Sequence, residues 1–349
     1  MPLDNPLVLV VIFLASATVV VLAGTRLARH GDVIAARTQL GGLWVGSLFL
    51  AAATSLPELV TDIAAIRLGA PDLAAGDLFG SSMANMLILA VVNLLPRGGD
   101  LFQHAALDHV LYAALAISLS CVAAIFILVP TPATMLGVGP GSAVIFVAYL
   151  LASRAIFRHT TIARRTGQVI EMSGTPGEAT APPLGSERTR ELRRAIAGFA
   201  VAAVVILAAA PVLAHSAERI AVLSGLGSTL VGTWLVGLTT SLPELVTSLA
   251  AVRLRSYDLA VGNLFGSNAL NMTMFLPLDL ASTEGPLLAI VQPAHVLTAM
   301  VGVVLMAVAL AALVYRARGR LTLLEPSSAI IVLGYLLGLG LLFAVATPA

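Results

Sequence analysis

Long apolar runs separated by short polar segments fill almost the whole chain. The ten runs lie at about 6–26, 40–66, 72–95, 109–129, 133–157, 194–214, 226–252, 258–280, 291–315 and 327–346. Each run is close to the roughly 20 residues that an α-helix needs to cross a hydrocarbon core about 30 Å thick. The pattern therefore predicts an all-α polytopic membrane protein with about 10 transmembrane helices.

Composition supports this class. Hydrophobic residues make up 58% of the chain, charged residues 11%, and the mean hydropathy is +0.99, so a water-soluble domain would expose large apolar patches. The net charge of +1 gives no indication of nucleic-acid binding. Cys121 is the single cysteine, which excludes a disulfide within the chain. The first residues lack a basic region and a cleavage pattern, so we expect the first run to be a retained span.

The runs divide five and five around one long polar stretch. This stretch, 159–193, holds Pro, Gly, Ser, Thr and arginines and predicts a flexible linker. The predicted units are the first five-helix half 1–158, the linker 159–193 and the second half 194–349. Because each half has an odd number of spans, the second half must enter the membrane upside down, which makes the halves an inverted repeat.

Arginine placement predicts the orientation. All 19 basic residues are arginine, and 17 of them lie in loops 1–2, 3–4, 5–6, 7–8 and 9–10 or their flanks. The other side has only Arg67 and Arg219. By the positive-inside rule, we expect a protein of the cell (inner) membrane with the linker in the cytoplasm and both termini on the outer side.

One segment of the chain occurs twice. Gly46–Ile88 and Gly232–Met274 align without a gap, 186 positions apart, and 23 of the 43 aligned residues are identical. Both copies contain Thr-Ser-Leu-Pro-Glu-Leu-Val-Thr followed by Gly-x-Leu-Phe-Gly-Ser-x-x-x-Asn. A glutamate kept in each copy of an apolar repeat indicates an ion site.

Each copy predicts two antiparallel helices with polar side chains on facing surfaces. In the first copy the i, i+4 spacing should bring Glu58 level with Ser81, Thr54 with Asn85, and Asp62 with Asp77. The second copy offers Thr240, Glu244 and Ser248 facing Asn263, Ser267 and Asn271. Carboxylate, hydroxyl and amide oxygens are the hard ligands that calcium and sodium prefer.

Prolines and glycines within the repeat add to this prediction. Pro57 and Pro243 each remove one N–H from a helix and free a carbonyl near Ala53 or Thr239, which at membrane depth is tolerated along a polar cavity. Four glycines should permit close helix approach: Gly76, Gly80, Gly262 and Gly266. The structural alternative is that the polar groups are only interhelical hydrogen bonds, but carboxylates rarely lie in a bilayer without a function.

These paired segments resemble the alpha-repeats of the calcium/cation antiporter superfamily, of the sodium/calcium exchanger type. The resemblance covers about 43 residues in each half, and the five-plus-five layout extends it more loosely. It implies a transporter with cation sites between the repeats, exchanging Na⁺ for Ca²⁺ by alternating access. A transporter of this kind is not an enzyme and needs no cofactor, and we expect a monomer whose partners are membrane lipid and the transported cations.

The resemblance also implies the ligands. Glu58 and Glu244 match the two central glutamates, which bind Ca²⁺ and also serve Na⁺. The remaining matched positions are Thr54, Ser55, Thr240, Ser241, Ser81, Ser267, Asn85 and Asn271, with the carbonyls of Ala51 and Gly237. Asn271 departs from several relatives, which hold an aspartate there, and the departure makes the coupling ratio and the calcium affinity open questions.

Two further acids occur in the first repeat alone. Asp62 and Asp77 stand where the second repeat has Ser248 and Asn263. We hypothesise that they form an acidic vestibule on the external path, either a secondary cation site or a pair sharing one proton. The alternative is that Asp62 pairs with Arg67 while Asp77 faces water.

Other polar residues have simpler interpretations. Asp72 and Asp258 precede the second helix of each repeat and are predicted to cap it. The six histidines lack metal-ligand spacing, so a histidine metal site is not expected.

Three alternative functions follow from the residues. The missing aspartate and the extra acids favour a proton-coupled exchanger of Ca²⁺ or another cation as the second choice. A cation channel is less consistent with an inverted repeat within one chain. An intramembrane hydrolase would need a nucleophile and a base, and Ser55 has no evident base.

Overall fold

The computed structural model describes residues 6–38, 41–94, 101–105, 108–165, 185–223, 239–315 and 326–346. The helices, numbered in chain order, are α1 (Pro6–Thr38), α2 (Gly41–Trp44), α3 (Ala51–Arg67), α4 (Pro71–Leu94), α5 (Leu101–His104), α6 (His109–Leu128), α7 (Pro140–Arg165), α8 (Gly185–Leu223), α9 (Leu242–Arg253), α10 (Tyr257–Thr273), α11 (Phe275–Ala281), α12 (Leu287–Ile290), α13 (His295–Tyr315) and α14 (Pro326–Ala346). A π-helical turn, Val45–Leu50, joins α2 to α3. Within the described ranges the only β pairing is an isolated bridge between Met135 and Val138.

The helices confirm the predicted all-α polytopic class. Eight helical stretches in the described ranges are long and apolar enough to cross a membrane. The predicted span 226–252 lies partly outside the described residues, and its described part contains α9. The predicted span 258–280 forms two helices, α10 and α11, which meet at Met274.

Two helices are longer than a bilayer requires. α1 contains 33 residues and α8 contains 39, against the roughly 20 of a span. They pack along each other, and an ion pair between Arg37 Nη2 and Glu191 Oε2, 2.8 Å apart, joins their extensions. The structure therefore differs from the prediction at both ends of the linker, because α7 continues to Arg165 and α8 begins at Gly185. Arginine, glutamate and leucine, which fill the start of α8, are good helix formers.

Equivalent helices of the two halves make equivalent contacts with the opposite half. α1 contacts α9 as its equivalent α8 contacts α3, and α4 contacts α13 and α14 as α10 contacts α6 and α7. Equivalent helices also meet directly, in the pairs α1 with α8, α4 with α10 and α6 with α13. At the centre, α3 contacts α10 while α9 contacts α4, so the two repeated segments cross each other.

The equivalence extends beyond the segment in which the sequences are similar. Asn93 Oδ1 accepts a hydrogen bond from Leu101 N at 3.1 Å, and Asp279 Oδ1 accepts one from Leu287 N at 2.7 Å. The acceptor and the donor of the second bond each lie 186 positions after those of the first bond, which is the offset of the repeat. Asn93 and Asp279 are both buried, and each satisfies the backbone N–H that begins a short helix.

Candidate cation site

The predicted ligands lie where the two repeats cross. Glu58 is in the middle of α3, and Glu244 is in the first turn of α9. All the described members of the predicted set are buried: Ala51, Thr54, Ser55, Glu58, Ser81, Asn85, Thr240, Ser241, Glu244, Ser267 and Asn271. Gly237 lies outside the described residues.

Backbone contact brings the helices close at this crossing. A Cβ on Gly262 would lie 3.0 Å from both Leu43 O and Ser47 N, and a Cβ on Gly266 would overlap the Ser47 carbonyl group. The predicted role of Gly262 and Gly266 in close packing is thus confirmed. Gly76 and Gly80 make no such contact with described residues, since a Cβ on Gly76 would meet only the His295 ring, 3.5 Å away, and a Cβ on Gly80 would have no atom within 4 Å.

Glu58 is held by side chains from both repeats. Ser81 Oγ donates to Glu58 Oε1 at 3.0 Å, as the antiparallel register predicts. Asn271 Nδ2 donates to Glu58 Oε2 at 3.3 Å from the other half of the chain. Both carboxylate oxygens of Glu58 therefore accept a hydrogen bond from a neutral side chain.

Glu244 has fewer partners. Ser55 Oγ donates to Glu244 Oε1 at 3.2 Å, again from the opposite repeat. Glu244 Oε2 is buried and has no hydrogen-bond partner, and the same holds for the hydroxyls of Ser241 and Ser267. The repeat is thus symmetric in sequence at these positions, but its hydrogen bonds are not.

Other polar contacts cross between the repeats in equivalent pairs. Thr54 Oγ1 lies 3.3 Å from Asn263 Oδ1, and Thr240 Oγ1 donates to Asp77 Oδ1 at 3.3 Å. Thr54 and Asn85, which the register places level with each other, form no hydrogen bond together, because Thr54 contacts Asn263 and Asn85 contacts Asn268. Thr54 Oγ1 also lies 3.2 Å from the Ala51 carbonyl oxygen.

Asn268 belongs to this hydrogen-bond network but is not among the predicted ligands. Asn268 is fully buried, accepts a hydrogen bond from Asn85 Nδ2 at 2.8 Å, and donates to the Ser82 carbonyl at 3.2 Å. The sequence contains an indication of it, since Asn268 stands at the repeat position where the first copy has Ser82. The contact orients Asn85 so that its Oδ1 is left without a partner.

The two extra acids meet as the register predicts. The carboxyl groups of Asp62 and Asp77 interact directly, and Oδ2 of each is buried without a hydrogen-bond partner. Asp62 forms no ion pair with Arg67, whose side chain is exposed. In the second repeat the equivalent Asn263 Nδ2 donates to Ser248 Oγ at 3.0 Å, so that pair is neutral and satisfied.

Pro57 and Pro243 differ in their effect. Pro57 lies inside α3, as predicted, where it cannot donate to the carbonyl of Ala53. Pro243 instead lies at the start of α9, after a turn at Ser241. Proline suits that position because the first N–H groups of a helix have no intrahelical acceptor. Only the first repeat therefore carries its glutamate on an uninterrupted helix.

The arrangement provides buried oxygen atoms of the kind that hard cations prefer as ligands. Neither glutamate forms an ion pair with a described arginine or histidine, and buried charges need a partner or a metal. Among the described residues no three His, Cys, Asp or Glu side chains form a metal group, so hydroxyl, amide and carbonyl oxygens would have to complete the shell. Unpartnered oxygens of Asn85, Ser241, Glu244, Ser267 and Asn271 are available for this.

Curated proteins that this chain resembles include an inner membrane protein and a putative antiporter. Inner membrane protein YrbG of Escherichia coli (strain K12) is 25% identical over 272 residues, which cover 76% of this chain and 77% of that protein. Putative antiporter CaxA of Alkalimonas amylolytica is 25% identical over 281 residues, covering 77% and 79%.

A solved structure of the sodium-calcium exchanger NCX_Mj has the same fold. It superposes with a TM-score of 0.70 at 17% sequence identity and covers 99% of this chain and 100% of that one. The sodium/calcium exchanger protein family matches residues 8–155 and 194–344, which include both repeats and most of both halves. The chain belongs to the sodium/calcium exchanger protein family.

Proposed function

We propose that this protein is a secondary antiporter that exchanges Ca²⁺ for Na⁺ by alternating access at the crossing of its two repeats. The observation that supports this most directly is the pair of buried glutamates, Glu58 and Glu244, at equivalent repeat positions with no described basic partner. Two carboxylates balance the charge of one Ca²⁺ or of two Na⁺. Inverted repeats with an ion site between them are the usual construction of an alternating-access carrier.

We place the protein in the inner membrane with both termini outside and 159–193 in the cytoplasm. The arginine distribution supports this orientation, and each five-helix half would then face the membrane in the opposite direction. The carrier is proposed to act as a monomer, because the repeats of one chain supply both glutamates.

Calcium uptake into proteoliposomes tests the function. An outwardly directed Na⁺ gradient should drive ⁴⁵Ca²⁺ into the vesicles, and a pH gradient without Na⁺ should not. Uptake driven only by the pH gradient would support proton coupling, the second candidate, which the contact between Asp62 and Asp77 favours. Flux that needs neither gradient and exceeds carrier turnover would indicate a channel.

Asp62 and Asp77 are proposed to form an accessory cation site on the external path. The double substitution Asp62→Ser with Asp77→Asn gives the first repeat the neutral pair of the second. Removing two carboxylates near the path should raise the half-saturating external Ca²⁺ concentration by about threefold to tenfold, since long-range charge effects are partly screened. The reciprocal change, Ser248→Asp with Asn263→Asp, is the matched comparison. Unchanged external affinity in the first variant would contradict the accessory site.

Asn271 is proposed to set the charge of the transported complex. With two glutamates, the Ca²⁺ form and a two-Na⁺ form are both neutral, so a membrane potential set by K⁺ and valinomycin should change the exchange rate by less than about twofold. Asn271→Asp adds a third carboxylate beside Glu58 and should make exchange sensitive to the potential. Asn85→Asp, at the equivalent position, shows whether the effect depends on the contact with Glu58. Strong potential dependence of the unsubstituted protein would contradict this charge assignment.

A further inference from the structure

Two histidine–aspartate contacts join the halves outside the cation site. His109 Nε2 lies 3.0 Å from Asp258 Oδ1, and His295 Nε2 lies 3.0 Å from Asp72 Oδ1. The 186-residue offset of the repeat converts one pair into the other. In each pair a histidine at the start of one helix meets an aspartate in the first turn of a helix from the opposite half.

The aspartates therefore do not occupy the predicted capping positions. Asp258 is the second residue of α10, after Ser256 at the N-cap, and Asp72 is the second residue of α4. Asp72 also accepts hydrogen bonds from Gln292 N at 2.8 Å and Gln292 Nε2 at 3.2 Å, so it anchors the turn before α13. Each aspartate thus contacts the other half of the chain.

Burial makes these contacts specific. The His109 side chain has no exposed surface, while that of Asp258 is 29% exposed. His109 Nδ1 is buried and has no hydrogen-bond partner, which leaves Nε2 as the ring's polar attachment. A carboxylate is the acceptor, so the ring carries a proton on Nε2 and donates it. The His295 and Asp72 side chains are 17% and 39% exposed, so the second pair is nearer water.

The helices that these pairs hold are those that carry cation ligands. α4 bears Ser81 and Asn85, and α10 bears Ser267 and Asn271. α4, α6, α10 and α13 form a closed ring of contacts in which α4 meets α10, α10 meets α6, α6 meets α13 and α13 meets α4. One histidine–aspartate pair closes the α6–α10 contact, and the other closes the α4–α13 contact. Both histidine–aspartate contacts are present together in the one conformation that the structure shows.

We propose that His109 and His295 are positioning residues that fix the depth and tilt of α10 and α4, and hence the placement of their cation ligands. The inference rests on the proposed function for its cation, since Ca²⁺ is the ion whose binding would change. The side-chain hydrogen bonds of His109 and His295 described above go to Asp258 and Asp72 and not to a proposed cation ligand. Groups that act on metal ligands from outside the coordination shell typically change metal affinity by about 10- to 100-fold when removed.

The principal test is the half-saturating Ca²⁺ concentration for exchange in proteoliposomes. His109→Ala is expected to raise it about tenfold while the maximal rate stays within about threefold. His109→Gln keeps an amide N–H that can reach Asp258 and should recover most of the affinity. Asp108→Asn, one residue earlier, is the matched control and should behave as the unsubstituted protein. If His109→Ala does not fold, His109→Gln is compared with His109→Asn, whose amide is one methylene shorter.

A double-mutant cycle shows whether the histidine acts through α10. His109→Ala combined with Ser267→Ala, on α10, should be non-additive in Ca²⁺ affinity, because the histidine positions that serine. Combined with Ser81→Ala, the repeat equivalent on α4, it should be additive. For His295→Ala the expectation is reversed. A purely structural contribution would lower stability without this selectivity, so equal coupling to both serines would overturn the proposal.

A second readout does not depend on transport. The melting-temperature changes of His109→Ala and Asp258→Ala should be non-additive, since either substitution breaks the same contact. Additive changes would overturn the contact as a functional unit even if no exchange were detected. Failure of the unsubstituted protein to exchange Ca²⁺ would count against the proposed function, whereas normal Ca²⁺ affinity in His109→Ala would count against the positioning role.

Discussion

Glu244→Gln is expected to reduce Ca²⁺ exchange by at least about 100-fold without loss of folding. At an effective dielectric constant of about 20, a unit charge pair 4 Å apart contributes about 4 kcal/mol, and a divalent cation doubles this, whereas 1.4 kcal/mol already corresponds to a factor of ten. Glutamine keeps the shape and can still accept the hydrogen bond from Ser55. Because Glu244 Oε2 has no partner, the substitution removes a charge and breaks no described hydrogen bond.

Glu58→Gln should lose exchange to the same degree, but it also disrupts a hydrogen bond, so its effect combines loss of charge with loss of stability. Glu58 accepts hydrogen bonds at both oxygens, from Ser81 and Asn271, and the glutamine amide can replace only one acceptor. We therefore expect a lower melting temperature for Glu58→Gln than for Glu244→Gln. The difference follows from the unequal hydrogen bonding of two glutamates that the sequence presents as equivalent.

Cation-dependent melting gives the measurement and its control. Millimolar Ca²⁺ should raise the melting temperature of the unsubstituted protein in detergent, since a ligand that binds only the folded state stabilises it. Neither glutamine variant should respond. Glu284→Gln, in an exposed turn, should respond normally and retain exchange. A Ca²⁺ response of normal size in Glu244→Gln would refute the assignment of that glutamate to the site.

The sequence was sufficient to predict contacts within one repeat. Glu58 with Ser81, Asp62 with Asp77, and Ser248 with Asn263 all follow from i, i+4 spacing on two antiparallel helices joined by a short turn. Local geometry fixes the register there, because the turn is too short to allow alternatives.

Contacts between the repeats could not be predicted in this way. The pairings of Ser55 with Glu244, Asn271 with Glu58, and Asn85 with Asn268 depend on how the two segments cross in space. Helical periodicity identifies the polar face of each helix but not the angle at which two such faces meet. The histidine–aspartate contacts were missed for the same reason, since they join sequence positions 149 and 223 residues apart.

The inequality of the two glutamates also has a local origin. Pro57 lies inside α3, whereas Pro243 follows a turn that begins α9. An identical Ser-Leu-Pro-Glu sequence therefore has two backbone conformations, and the serine before each proline differs accordingly. Ser55 donates to Glu244, while Ser241 has no partner. A cation bound between the repeats would encounter one satisfied carboxylate and one that is partly free.

Gly266→Ala is the second substitution for which we expect a large effect. The added Cβ would overlap the carbonyl group of Ser47, and neither side of the contact is a flexible side chain that can move away. Gly46 faces the Leu259 carbonyl oxygen in the same contact, with a Cβ distance of 2.6 Å, so the two backbones pack together over more than one turn. Overpacking of this kind costs about 1–3 kcal/mol or more.

The effect should reach the cation site because Ser267 follows Gly266 directly. We expect Gly266→Ala to lower the melting temperature by several degrees and to reduce Ca²⁺ exchange at least about tenfold. Gly340→Ala, inside α14, is the matched control: no atom lies within 4 Å of its Cβ position, and alanine is favoured over glycine in a helix by about 0.5–1 kcal/mol. Gly340→Ala should thus be neutral or stabilising. Equal behaviour of the two variants would show that the contact of α10 with the π-helical turn does not hold the ligands.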